Sequence, residues 1–217
     1  MTMYRVIPLE TYPRRAHFSY FQSMANPYMG LTVSVNITEF MAALHEKKAP
    51  FFLSFLYCVS RAANRVPQLR QRVRNGEIIE YLHCPTSHTV ALENETYCYC
   101  SLESHLPFDA FLPYALQAQE NARKTASLED GDEETALPLL FLSSLPWITY
   151  DALLQPTPTP ADTNPRITWG RWRQEGARYL LPVTLLCNHA LVDGLHLARF
   201  YDALNQELAA FPQKTLL

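Results

Sequence analysis

The feature that most constrains the fold is a short apolar run followed by a helical pattern. Residues 180–187 are almost all apolar, which is typical of a strand buried on both faces, because such strands lose the polar alternation. From Leu197 to Leu208 the apolar residues recur at helical spacing, which predicts a helix with one buried face. The connection between them, residues 189–194, is therefore predicted to sit at a rigid strand end.

This connection carries the pattern His189-x-x-x-Asp193-Gly194. A histidine held at a strand end can serve as a general base, because its ordinary pKa lies near neutrality. Asp193 is expected to cap the following helix, and Gly194 to permit a tight turn. Taken alone, the pattern favours a packed strand-end histidine and a simple helix cap over a catalytic site.

The rest of the chain mixes strands and helices without regular alternation, which favours an α/β (α+β) fold with a mixed sheet flanked by helices. No internal repeat or long linker divides it, so a single domain over residues 1–217 is expected. The predicted strands are 31–37, 70–73, 78–82, 89–92, 96–101, 137–142, 167–172 and 178–187. The predicted helices are 11–24, 39–47 with Thr38 as its cap, 50–66, 108–124 and the one from Leu197.

Composition excludes several functional classes. The net charge of −3 gives no reason to expect nucleic acid binding. No apolar run approaches the roughly 20 residues of a membrane span, and a signal peptide pattern is missing, so a cytoplasmic protein is expected. The five cysteines are predicted to be buried thiols, with no metal site. The acidic stretch 127–134 is predicted to be a solvated loop.

Four separated patches resemble the chloramphenicol acetyltransferase family and occur in that family's order. They are Arg14-Arg15-x-His17-Phe18, Ser143-Ser-Leu-Pro-Trp147, Arg166-Ile-Thr168 followed by Gln174-Glu-Gly176, and His189 to Arg199. Together they span nearly the whole chain, which makes coincidence a poor explanation. The resemblance implies a two-layer sandwich of the CoA-dependent acyltransferase type.

The resemblance also implies roles for individual residues. His189 corresponds to the general base, Ser143 to the serine that donates to the oxyanion, and Thr168 to a threonine that acts through bound water. Asp193 corresponds to a structural aspartate that pairs with an N-terminal arginine, matched here by Arg14. The sequence does not show which arginine of the Arg14-Arg15 pair points inward.

By the same resemblance, acetyl-CoA is the co-substrate, and the protein is a homotrimer with active sites at its subunit interfaces. Phe21, Tyr97 and Tyr99 are expected to line the acceptor site. Trp147 and Trp172 stand next to matched motifs and are candidates for the walls of the CoA channel, with a place in the core as the alternative. The implied activity is acetylation of a chloramphenicol hydroxyl by direct transfer in a ternary complex, which confers antibiotic resistance.

Departures from the family pattern leave the acceptor open. Phe21 stands in place of a tyrosine, Tyr97-Cys-Tyr99 replaces a segment of smaller residues, and Asp162 and Arg166 stand where relatives tend to have aromatic or apolar residues. A different small hydroxylated acceptor is one alternative, and a non-catalytic trimeric ligand-binding protein is another. An acyltransferase core of a dehydrogenase complex is less favoured, because no lipoyl domain or flexible linker precedes the domain in the sequence.

Overall fold

The computed structural model describes residues 3–128 and 132–211, the side chain of Glu133 excepted. Its strands are β1 Tyr4–Ile7, β2 Tyr28–Asn36, β3 Gln71–Arg74, β4 Glu77–Tyr81, β5 Thr86–Ala91, β6 Tyr97–Leu102, β7 Leu140–Ser144, β8 Arg166–Trp169, β9 Arg173–Glu175 and β10 Arg178–Asn188. Its α-helices are α1 Arg15–Gln22, α2 Thr38–Lys47, α3 Phe51–Asn64, α4 Phe108–Thr125, α5 Glu133–Ala136 and α6 Gly194–Ala210.

The larger sheet has the order β2-β10-β8-β7-β5-β6, with β9 paired to one end of β10. Strand β7 runs parallel to β5 and β8, and the other pairs are antiparallel, so the sheet is mixed as predicted. A smaller sheet has the order β1-β4-β3. The hairpin predicted at Asn75-Gly76 joins β3 to β4, and both residues have positive φ, the geometry of a type I′ turn.

Helices cover one face of the larger sheet. Trp169 of β8 contacts Phe52 and Phe55 of α3, and the Tyr201 hydroxyl of α6 lies 2.9 Å from the backbone oxygen of Val183. Nearly all the buried apolar residues of the described helices and strands form one core cluster. The predicted two-layer arrangement of helices on a mixed sheet is confirmed.

The strand predicted over residues 167–172 is interrupted in the structure, and the neighbouring strand β10 explains why. We expected one strand over residues 167–172, but β8 ends at Trp169 and the separate strand β9 begins at Arg173. The interruption lies opposite Pro182, which has no N–H to donate to a neighbouring strand. At that point the Gly170 N–H donates to the Pro182 oxygen instead, at 3.1 Å.

Gly170 sits in this break because the backbone is crowded there. A Cβ at that position would lie 2.8 Å from the backbone oxygen of Ile148, a distance that real side chains do not reach. Glycine is therefore required for the close approach of the two segments.

Two further expectations need adjustment. Thr38 does not cap α2 but is its first residue; the Asn36 side chain accepts the Thr38 backbone N–H at 3.1 Å instead. The predicted acidic loop falls partly on residues 129–131, which lie outside the described residues, and its last part enters the short helix α5. All five cysteines are buried, as predicted.

Candidate active site

His189 follows the last residue of β10 and is fixed on three sides. Its backbone N–H donates to the Pro27 oxygen at 2.7 Å. Its ring stacks on Phe21, with centroids 3.7 Å apart and an interplanar angle of 23°. Its Nδ1 lies 2.7 Å from the Val192 carbonyl oxygen. A carbonyl can only accept, so Nδ1 carries a proton, and in the neutral imidazole Nε2 is the nitrogen that keeps a lone pair, as a general base requires.

Arg14 supports the backbone around this histidine. Its Nη2 donates to the His189 carbonyl at 3.1 Å, and its Nη1 forms an ion pair with the Asp193 carboxylate. The Arg14 side chain is only 13% exposed, while Arg15 is exposed. The structure therefore identifies Arg14 as the inward-pointing arginine.

Asp193 also begins helix α6. Its carboxylate accepts the Leu195 backbone N–H at 3.1 Å, and its own N–H donates to His196 Nδ1 at 3.0 Å, which together make a capping box. Burial, with the nearby Arg14 and Arg199 charges, lowers the pKa of His196 to about 4. His196 is therefore neutral near pH 7 and can accept this bond.

Gly194 is not required for the turn that we expected. It is the first residue of α6, its φ is not in the left-handed region, and a Cβ there would meet nothing within 4 Å. The change of direction is made by the extended backbone of Asp193 and by the capping box, so other residues fit at 194 in this chain.

Ser143 and Thr168 lie side by side on the face of the sheet opposite the helices. They are register partners in the parallel β7–β8 pair. The same register row continues through Thr184 to Thr32 on one side. On the other side Thr89 lies next to Ser143, with hydroxyl oxygens 3.3 Å apart.

We call this row the hydroxyl row, and its members are Thr89, Ser143, Thr168, Thr184 and Thr32. At one end the Thr32 and Thr184 hydroxyls bond to each other at 2.7 Å. The Tyr150 hydroxyl lies 3.2 Å from that of Thr184 and donates to the Thr168 backbone oxygen at 2.9 Å. The sheet thus presents a line of fixed hydroxyl groups across five strands.

A cavity of about 420 Å³ opens over the middle of the hydroxyl row. Ser143 and Thr168 form its floor, and Tyr99 and Phe141 contribute aromatic walls. Residues Leu153, Leu154 and Pro156 of the segment after β7 also line it. The size and the mixed lining suit a small organic molecule.

One residue of the cavity wall, Arg166, belongs to an ion pair. Arg166 binds both carboxylate oxygens of Asp162 at 2.8 and 2.7 Å. The Asp162 backbone N–H donates to the Tyr28 hydroxyl at 2.8 Å. Burial, followed by the Asp162 charge, raises the pKa of Tyr28 to about 12, which keeps that hydroxyl neutral. The Arg166 charge is therefore compensated within the chain.

His189 does not line this cavity. In β10, Thr184 is the member of the hydroxyl row, and His189 lies five residues further along the chain. At about 3.3 Å per residue this is roughly 16 Å along the strand. One copy of the chain therefore keeps its histidine apart from its Ser143 and Thr168.

Of the other five predicted substrate-contacting residues, one lies with His189, one lines the cavity and three lie outside the cavity lining. Phe21 lies with His189, and Tyr99 lines the cavity. Tyr97 is 48% exposed and outside the cavity lining, as are Trp147 at 73% and Trp172 at 38%. Sequence reasoning missed Thr89, Thr184 and Tyr150. Thr184 is a polar residue within the apolar run of β10, which could have drawn attention to it. The residues next to it on the sheet, however, depend on strand register, which the sequence does not give.

Comparison with solved structures defines the class of fold. A chloramphenicol acetyltransferase structure superimposes with a TM-score of 0.82 at 24% identity, covering 95% of this chain and 100% of that one. A probable dihydrolipoamide acetyltransferase from Listeria monocytogenes gives 0.67 at 15% identity, covering 98% and 97%. The architecture is thus the acyltransferase fold that these two groups of proteins share.

Sequence comparison narrows the class to a family. The sequence model of the family described as chloramphenicol acetyltransferase matches residues 2–205. Chloramphenicol acetyltransferase 2 from Escherichia coli is 32% identical over 203 residues, 91% of this chain and 93% of the relative. Chloramphenicol acetyltransferase 3 from the same organism is 27% identical over 205 residues, 94% and 96%. The chain belongs to the chloramphenicol acetyltransferase family, whose acyltransferases use acetyl-CoA.

Among the described residues, no helix is long and apolar enough to cross a membrane.

Proposed function

We propose that the protein is an acetyl-CoA-dependent O-acetyltransferase that acetylates a hydroxyl of chloramphenicol and so confers resistance. Membership of the family supports the reaction class. The observation that carries the proposal is the state of His189. Its Nδ1 proton is committed to the Val192 carbonyl, which leaves Nε2 free to accept a proton from a substrate hydroxyl.

The reaction follows from the chemistry of these side chains. His189 Nε2 removes the acceptor hydroxyl proton as the oxygen attacks the thioester carbonyl of acetyl-CoA, and this general-base assistance supplies roughly 10²–10⁴-fold. Ser143 donates its hydroxyl proton to the oxyanion of the tetrahedral intermediate. The intermediate collapses with cleavage of the C–S bond, and the CoA thiolate takes the proton from His189. Acetyl transfer is direct, without an acetyl-enzyme.

Thr168 acts beside Ser143 in this scheme, through a water bound at its hydroxyl. It is 4% exposed and is the register partner of Ser143. Its position in the floor of the cavity supports contact with solvent trapped next to the acceptor.

The roughly 16 Å between His189 and the hydroxyl row supports a shared active site. We propose that the protein is a homotrimer in which His189 of one copy meets Ser143 and Thr168 of the next. A cyclic arrangement of three copies then forms three equivalent sites. Phe21 enters such a site with His189, and Tyr99 enters it with Ser143.

Complementation between two inactive variants tests the reaction and the shared site together. His189→Ala and Ser143→Ala are each purified alone and also co-expressed with distinct tags, and thiol release from acetyl-CoA is followed with chloramphenicol. Each variant alone is expected to be nearly inactive. Random mixing restores intact pairs at about a quarter of the interfaces, so about a quarter of wild-type activity is expected.

Two outcomes would contradict the proposal. Activity of His189→Ala within a few-fold of wild type would remove the general base. Two inactive variants whose mixed trimers, isolated through both tags, stay inactive would place both residues in the same copy. His45→Ala, an exposed histidine in α2, is the matched control and should keep full activity.

One observation favours a second acceptor. Arg166, paired with Asp162, places a charged group in the cavity wall, where a neutral drug gains nothing from it. A small hydroxylated compound that carries polar groups is therefore the second candidate. The thiol-release assay over a panel of hydroxylated antibiotics distinguishes them, and no turnover on any alcohol would favour a non-catalytic ligand-binding protein.

A further inference from the structure

Three metal-ligating side chains meet at the end of the larger sheet, away from the candidate active site. His83 lies between β4 and β5, and Glu103 and His105 lie between β6 and α4. One ligand atom from each lies within 4.8 Å of the others. Glu103 Oε2 is 3.7 Å from His83 Nε2 and 3.3 Å from His105 Nδ1.

Strand register brings these three residues together. Thr86 pairs with Leu102 in the antiparallel β5–β6 ladder. Extending that register beyond the strand ends puts His83 opposite His105. Glu103 directly follows the end of β6 and approaches the two histidines from the same connection as His105. The cluster is thus a product of the β5–β6 pairing.

The two connections that carry these residues are anchored. The Cys84 backbone N–H donates to Asn64 Oδ1 at 2.7 Å, and Asn64 Nδ2 donates back to the Cys84 oxygen at 2.9 Å. The Glu103 backbone N–H donates to the Tyr114 hydroxyl at 3.3 Å. Helices α3 and α4 therefore fix the backbone on both sides of the cluster, which lowers the cost of ordering ligands around an ion.

An unsatisfied atom points to a ligand. His83 Nε2 is buried and has no hydrogen-bond partner within the described part of the chain, because 3.7 Å to the carboxylate is too long for such a bond. A buried polar atom without a partner is costly. An ion between the imidazoles and the carboxylate would satisfy it.

The two arginines whose charges act on His83 each have a carboxylate partner, Arg70 with Glu80 and Arg61 with Glu207. The cluster side chains are 27% (His83), 46% (Glu103) and 59% (His105) exposed, so an ion can enter from solvent. Two imidazoles and one carboxylate form a donor set that suits first-row transition ions such as Zn²⁺ and leaves a coordination position for water.

We propose that His83, Glu103 and His105 bind one divalent transition-metal ion and thereby tie the β4–β5 and β6–α4 connections together. This site is separate from acetyl transfer. His83 is six residues along the chain from Thr89 of the hydroxyl row, or roughly 20 Å at strand spacing. It departs from the sequence-based expectation of no metal site, because spacing alone did not bring His83 near Glu103.

Zinc binding to the full-length protein tests this inference. The protein is treated with a chelator, exchanged into metal-free buffer and titrated with Zn²⁺ by calorimetry, and melting is recorded with and without the ion. His105→Ala and Glu103→Gln are compared with His45→Ala, which removes an exposed histidine elsewhere. Removing a residue that only supports a metal ligand typically weakens metal binding by roughly 10–100-fold. Removing a ligand itself should weaken Zn²⁺ binding by at least that factor.

The wild type and His45→Ala are expected to bind one Zn²⁺ at this site and to melt at a higher temperature with it. Both cluster variants should lose that binding and that shift. Unchanged affinity in His105→Ala and Glu103→Gln, or Zn²⁺ binding that disappears in His189→Ala instead, would overturn the proposal. Melting without metal checks that each variant is folded, and the two variants remove different ligands, so one misfolded protein does not decide the result.

Discussion

Arg14 holds Asp193 and the carbonyl oxygen of His189 with one guanidinium group. The same Asp193 carboxylate accepts the Leu195 N–H at the start of α6. One side chain from the start of α1 therefore connects the histidine backbone to the first turn of the following helix. This linkage fixes where the His189 ring can lie before any substrate arrives.

Replacing Arg14 with alanine should lower both stability and activity. The change leaves the partly buried Asp193 without its partner, and bonds of this charged type are worth about 2 kcal/mol. For a chain of this size that corresponds to roughly 4–8 °C in Tm. Arg15→Ala is the matched control, because Arg15 is the exposed neighbour, and it should leave Tm and kcat unchanged. Equal effects of the two substitutions, measured by thermal melting and thiol release, would show that the pair has no supporting role.

Removing the hydroxyl of Ser143 should slow the chemical step. A donor to the oxyanion acts in the transition state, so Ser143→Ala is expected to lower kcat by roughly 10²–10³-fold with little change in KM for acetyl-CoA. Ser144→Ala alters the next residue, which points to the other face of the sheet, and should stay near wild type. A change confined to KM would instead indicate that Ser143 only positions substrate.

The ion pair between Asp162 and the cavity-lining Arg166 should control which acceptor is used. Replacing both partners, Arg166→Leu with Asp162→Asn, removes the charges together and should lower KM for chloramphenicol by roughly tenfold, equivalent to about 1.4 kcal/mol. Asp162→Asn alone leaves the Arg166 charge unpaired and should raise the KM for chloramphenicol. Tyr99→Ala in the same assay measures how side-chain bulk in the cavity affects KM, apart from the effect of charge. If the double variant binds chloramphenicol no better, the pair does not face the acceptor.

Acid should destabilise the protein through His88. Its Nε2 lies 2.9 Å from the Gln119 amide nitrogen, which can only donate, so the imidazole is neutral and accepts. Burial lowers the pKa of His88 to about 4, whereas an unfolded histidine titrates near 6.5. The unfolded chain binds more protons between these values, so stability is complete above about pH 6.5 and falls as the pH drops towards 4.

The contribution of His88 over that window is on the order of 3 kcal/mol. Urea unfolding of wild type and His88→Asn at pH 6.5 and pH 4.5 measures it, with exposed His45→Asn as the control. The His88 variant should lose less stability on acidification than the wild type. His196, whose pKa burial and two arginines also lower to about 4, keeps part of the acid sensitivity in every variant. Parallel losses in wild type and His88→Asn would contradict the assignment.

Local patterns predicted the features that depend on neighbouring residues. The Asn75-Gly76 turn and the Asp193 helix cap each follow from the conformational preferences of a few adjacent residues, and the structure contains both. The apolar run of β10 predicted a strand buried on both faces. The position of Arg14 relative to Asp193 came from the family resemblance and is confirmed by the ion pair.

Features that depend on register could not be predicted. The hydroxyl row joins residues from five strands, and one residue of slippage would turn its members to the helix-covered face. Pro182 was visible in the sequence, but its effect, the separation of β8 from β9, requires knowing which strand lies opposite. The separation of His189 from Ser143 likewise emerges only when β8 is laid against β10.

The hydroxyl row has a consequence for how the proposed reaction responds to pH. Serine and threonine hydroxyls stay neutral from about pH 4 to pH 9, the Arg166 guanidinium stays protonated over the same range, and His88 is already neutral above about pH 4. Proton loss from the floor of the cavity therefore cannot imitate proton loss from the base. In the proposed reaction, the hydroxyl row, Arg166 and His88 therefore add no titration of their own to the pH–rate profile between about pH 5 and pH 9.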